Sequence, residues 1–87
     1  MSTLHIFKSR HSDDAKALVE LCNSGDSIVI MQNGCLLQQQ IKHLDPDANV
    51  FVIEQHCLNR GLPLQFDPID IKQVAALSVQ HENSTTW

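Results

Sequence analysis

The sequence contains no apolar run near the ~20 residues that a membrane-spanning helix needs. Its opening residues, Met1 to Ile6, also lack the charged-then-apolar order of a secretory leader. Membrane insertion and export are therefore disfavoured, and the cytoplasm is the default expectation. Positive charge is scarce: six Lys and Arg stand against ten Asp and Glu, a formal net charge of −4. Lys8 and Arg10 form the only close basic pair, so neither a phosphate backbone nor an anionic bilayer meets a basic patch. Cysteine is limited to three residues with no C-x-x-C spacing. That disfavours a disulfide framework or a zinc knuckle, and the cysteines read as free thiols. The five histidines show neither H-x-H nor H-x-x-x-H spacing, so a local metal site has no support. Neither G-x-G-x-x-G nor G-x-x-x-x-G-K-S/T occurs, which leaves a nucleotide cofactor without its usual phosphate loop.

What is present suits one folded domain over residues 1–87. Apolar residues make up 43% and charged residues 18%, without a low-complexity tract, a globular composition. A chain of this length buries a smaller share of its surface than larger domains do, and a partner subunit is an expected source of added stability.

The hydropathy pattern alternates strands and helices. Leu4 to Phe7 is a short apolar run that suits a buried strand. Ala15, Leu18, Val19 and Cys22 follow the i, i+3, i+4, i+7 stripe of a helix beginning at Asp13, with Ser12 as N-cap and Gly25 as stop. Ile28-Val29-Ile30 and Val50-Phe51-Val52-Ile53 are continuous β-branched or aromatic runs, expected in strands covered on both faces. Between them, Leu37, Ile41 and Leu44 mark a second helix, with Gln38 to Gln40 off its apolar face and a stop at Asp45-Pro46. Glu54 to Arg60 suits a short helix closed by Gly61. Leu64 to Ile69, interrupted by Pro63 and Pro68, is placed at a sheet edge. Asp70 caps the last helix, with Gln73 at the capping-box position and Ile71, Val74, Leu77, Ser78 and His81 along one face. The order predicts a three-layer α/β/α sandwich around a mostly parallel sheet of about four strands, with right-handed crossovers. Glu82 to Thr86 reads as a polar tail.

Several segments, in order along nearly the whole chain, resemble the DsrH/TusB family of small sulfur-relay proteins related to DsrE and DsrF. They are Leu4-His5 with Lys8-Ser9; Gly25-Asp26-Ser27 followed by Ile28 to Met31 and Gln32-Asn33-Gly34; Asn59-Arg60-Gly61-Leu62 after the third strand; and Ile69-Asp70, Val79-Gln80-His81 and Trp87. Asn33 stands where the family usually has Asp. The resemblance is nearest to TusB, and implies a DsrE/F/H-like (flavodoxin-like) fold. It also implies a subunit of a heterohexamer with TusC- and TusD-like (DsrF- and DsrE-like) partners, which passes persulfide sulfur towards 2-thiouridine at the tRNA wobble position or serves sulfur oxidation. In such complexes the resemblance places the principal reactive cysteine on the DsrE/TusD-type subunit, near the start of the helix after its third strand, a position that corresponds to about Ile53 here. DsrH proteins of sulfur oxidisers can also carry a cysteine in the first helix, a slot that falls near Leu18 here, one turn before Cys22. The resemblance therefore implies a non-catalytic subunit, and the negative charge balance leaves any tRNA contact to another subunit or a downstream carrier; self-association of the isolated chain stays open.

The residues alone leave other readings. Cys35, directly after Gly34 at the end of the second strand, and Cys57, inside the third helix, are candidate persulfide-carrying thiols, because a helix N-terminus favours a thiolate. Each competes with simple core filling, as does Cys22 on its apolar stripe. His5 reads as a core histidine, and His81 suits a helix C-terminus. Trp87 either folds back onto its own domain or anchors a partner interface. The weakest alternative is a flavodoxin-like nucleotide or flavin binder, using Lys8 to Ser12 as a phosphate loop.

Overall fold

In the computed structural model, which describes residues 2–87, ten elements follow in strict alternation apart from one extra turn. They are β1 (Thr3–Phe7), α1 (Ser12–Leu21), β2 (Ser27–Ile30), a 3₁₀ turn (Gln32–Leu37), α2 (Gln38–Leu44), β3 (Asn49–Ile53), α3 (Glu54–Asn59), β4 (Asp67–Ile69), α4 (Ile71–Gln80) and β5 (Asn83–Thr86). The sheet has five strands in the order β4-β3-β2-β1-β5, and every pairing is parallel.

This order dictates where the helices lie. From β1 to β4 the chain steps in one direction, so right-handed crossovers place α1, α2 and α3 on one face. From β4 it returns across the whole sheet to β5, which puts α4 on the other. The apolar packing agrees. Ala15, Leu18, Ile41 and Cys57 pack with Phe7, Ile28, Ile30 and Val52 in one cluster. Val74 and Leu77 of α4 lean on a second cluster of Leu4, Val29, Met31, Ile53 and Ile69. The three-layer α/β/α sandwich follows. β2 is buried at every position, as a continuous apolar run between two covered faces requires.

Four local expectations need correction. The sheet has a fifth strand, because the polar tail pairs with β1 from Thr3↔Asn83 to Ile6↔Thr86. All four β5 residues are exposed, so no apolar alternation marks the strand. Ser12 is not the cap of α1. His11 holds that position without a side-chain cap bond, while the Ser9 hydroxyl donates to Asp14 at 2.6 Å and accepts from the His11 N–H at 3.0 Å. The second helix starts late, after the 3₁₀ turn. Finally, Gln38 is buried rather than solvated. Its amide donates to the carbonyls of Cys35 and Pro63, and its oxygen accepts from the Gln65 N–H. A buried amide with these bonds made is a clamp between turn and loop rather than a cost. The capping box of α4 is as expected: Asp70 and Gln73 bond each other's backbone reciprocally.

Candidate functional site

In an open parallel sheet, ligand crevices form at the carboxyl edge where successive helices depart to opposite faces. Here that point lies between β3 and β4, because α3 and α4 leave on different sides. A crevice of about 570 Å³ opens there, within the ~300–1,000 Å³ range of binding pockets. Its floor is Ile53 and Ile69, the last residues of the two strands, both buried. Leu58 and Ile71 form apolar walls and remain 55% and 60% exposed. Glu54 and Asp70 supply carboxylates at the two helix starts, and no Lys or Arg lines the space.

His56 also lines the crevice. Its Nδ1 accepts the Gln32 N–H at 3.0 Å, so the neutral ring carries its proton on Nε2. Gln32 stands in the left-handed region at φ 51, a conformation an ordinary side chain adopts at some cost. The bond to His56 helps hold this turn at the end of β2.

The cysteines lie elsewhere. Cys35, in the 3₁₀ turn, is 2% exposed and Cys57 is fully buried. Both belong to the core under α1, α2 and α3. Burial, reinforced by the adjacent Cys57 thiol, pushes Cys35 up to about 12, against a weaker opposing pull from Arg60. Cys22 is also raised by burial, against a backbone hydrogen bond at Asp47; its thiol donates to the Val19 carbonyl. The position after β2 thus provides Cys35 with desolvation rather than the exposed, thiolate-favouring helix start that its place in the sequence suggests. None of the three thiols lines the crevice, whose floor at the end of β3 is Ile53.

This makes a direct prediction. In the native protein Cys35 should alkylate at least about tenfold more slowly than in denaturant at neutral pH, since burial both raises the thiol and closes it to the reagent. Time-resolved alkylation with peptide mass mapping measures this, and rapid native labelling of Cys35 would contradict it.

A second polar group sits at the opposite, amino edge of the sheet. The buried Asp26 carboxylate accepts the N–H groups of Thr3 and Asn23 at 2.9 and 3.0 Å, and meets His5 Nε2 at 3.1 Å. Trp87 Nε1 donates to His5 Nδ1 at 3.3 Å. With Nδ1 accepting from Trp87, the Nε2 proton faces the carboxylate, and the contact with Asp26 is a charge-assisted hydrogen bond. Trp87 is therefore folded back onto its own domain: it packs against the first core, and its N–H and carbonyl extend the backbone ladder to Ile6 and Lys8. His81 is bonded to Ser27 at 3.0 Å, so it ties the end of α4 to β2 as well as lying at a helix terminus. Sequence reasoning left Asp26 without a role. Its position directly before the β2 run was the available signal, since a carboxylate at a buried strand entrance needs partners.

No family model and no curated protein matches this chain. Among solved structures, it is similar to protein Tm0979 of Thermotoga maritima, determined in solution by NMR. The likeness covers 94% of this chain and 95% of that one, with a TM-score of 0.70 and 21% identity. At that identity the similarity is one of fold. No helix among the described residues is long and apolar enough to cross a membrane. No group of three or more His, Cys, Asp or Glu side chains among them is placed to hold a metal ion.

Proposed function

We propose that this chain is a non-catalytic subunit of a cytoplasmic sulfur-relay complex of the TusBCD/DsrEFH type, acting beside TusC- and TusD-like subunits in persulfide transfer towards wobble-uridine thiolation. The observation that carries the reading is the composition of the carboxyl-edge crevice. At the point where a sulfur-loading relative would need a nucleophile, the side chain is Ile53, and the three cysteines are buried outside the crevice. The ordered resemblance to DsrH/TusB segments, nearest to TusB, supports the sulfur-relay role. A carrier role through Cys35 or Cys57 would require a desolvated thiol to reach solvent and ionise, which the surrounding packing opposes.

Co-expression with TusC- and TusD-like subunits tests the proposal. The expected result on gel filtration is a single complex containing all three chains, with persulfide formed on a partner and none on this one. Separate elution of this chain, or a stoichiometric persulfide on it by mass spectrometry, would overturn the reading.

A further inference from the structure

The crevice between α3 and α4 has a chemistry of its own. Two half-exposed apolar side chains, Leu58 and Ile71, flank a buried floor of Ile53 and Ile69. The rim carries Glu54 and Asp70 without a cation among the lining residues. Asp70 already uses Oδ1 to accept the Gln73 N–H, whereas Glu54 has no ion-pair partner among the described residues. An apolar slot rimmed by two carboxylates that make no ion pair among the described residues selects by both terms: burial rewards an apolar side chain, and the carboxylates reward a cation beside it.

We infer that this crevice is a docking site for a basic peptide segment of a partner protein, one Leu-like side chain inserted between Leu58 and Ile71 and flanking Lys or Arg set against Glu54 and Asp70. The inference rests on the reading of the chain as an assembly subunit and specifies the chemistry of one partner contact. Acidic segments are repelled by the same carboxylates, and the net charge of −4 adds to the discrimination against them.

The test uses the full-length ¹⁵N-labelled chain and two synthetic probes: acetyl-Lys-Lys-Leu-Lys-amide and its counterpart with each Lys replaced by Glu. The basic probe should shift the amides of Glu54, Leu58, Asn59 and Ile71, and bind at least about tenfold more tightly than the acidic one. Its affinity should fall as salt screens the carboxylates. Glu54→Lys should remove most of that preference, and Leu58→Ala should weaken the basic probe. Both sites are exposed, and retained amide dispersion confirms folding of each variant. Equal binding of the two probes, shifts centred elsewhere on the molecule, or concentration-dependent shifts of these same amides without any probe would each overturn the inference. The last outcome would assign the crevice to a second copy of the chain. Co-elution with the relay subunits is a separate measurement, so failure of the peptide site and failure of the subunit assignment are distinguishable.

Discussion

Asp26→Ala should lower the stability of the chain by roughly 2–4 kcal/mol, a large part of the ~5–15 kcal/mol typical of a domain. The carboxylate is 2% exposed and is the acceptor for the Thr3 and Asn23 N–H groups and for His5 Nε2. Alanine leaves the buried His5 ring N–H without its acceptor, at about 1–3 kcal/mol, and also frees the half-buried Thr3 N–H and the more exposed Asn23 N–H at a smaller cost. The damage should spread along the sheet edge, because His5 is also the acceptor for Trp87, whose backbone joins β1 to the tail. A urea titration read by Trp87 fluorescence would report both effects. A midpoint close to the wild-type value would show that water replaces the carboxylate without loss.

The same carboxylate predicts a pH dependence. Burial alone would raise Asp26, but the hydrogen bonds from Asn23, Thr3 and His5 outweigh it and hold the group below its usual value of 3.8. A carboxyl with a depressed folded-state value releases its proton more readily when folded. Its contribution is fully present above the unfolded-state value, near 3.9, and is lost as pH falls through the lower folded-state one. Asp26→Asn should therefore flatten the acid limb of the stability curve, as measured by urea midpoints from neutral pH down to the acid range.

Gly34→Ala should cost about 3 kcal/mol, at the upper end of the usual range for overpacking. A Cβ at Gly34 would collide with the Phe7 carbonyl oxygen and stand 2.8 Å from Phe7 Cδ2. Neither neighbour can give way. The ring is fully buried, and the carbonyl accepts the Met31 N–H at 3.0 Å, which ties the end of β1 to the chain leaving β2. Gly25 is a useful control. It has φ 95, and a Cβ there would meet nothing within 4 Å, so Gly25→Ala should cost only about 1–2 kcal/mol of backbone strain. Comparing the two denaturation midpoints separates steric exclusion from conformational need. A smaller loss at Gly34 than at Gly25 would refute the steric account.

Much of the architecture was legible because the runs are strongly patterned. Ile28-Val29-Ile30 and Val50 to Ile53 are too continuous for a half-solvated strand, and Asp70 with Gln73 announces a helix start. The two prolines around Leu64 to Ile69 correctly placed β4 at an edge, since proline removes a ladder donor. β5 escaped because an exposed edge strand needs no apolar face; it is held by backbone bonds to β1 and by the packing of Trp87. The return crossover after α4 was a topological clue, because a chain crossing the sheet beside an unpaired β1 edge has a partner available there. Gln38 escaped for a different reason: helix periodicity records hydropathy, not whether a buried amide finds partners.

Hydropathy order, caps and turn residues sufficed for an α/β chain with parallel strands, because those signals act between residues a few positions apart. Sequence likewise carried the resemblance that motivates a sulfur-relay role. Which thiols are accessible, where the sheet splits into a crevice, and what Asp26 binds depend on segments distant along the chain. Cys35 meets Cys57, and His5 meets both Asp26 and Trp87, only after the strands are aligned. Burial and hydrogen-bond satisfaction are properties of that packed arrangement, so no local pattern could reveal them.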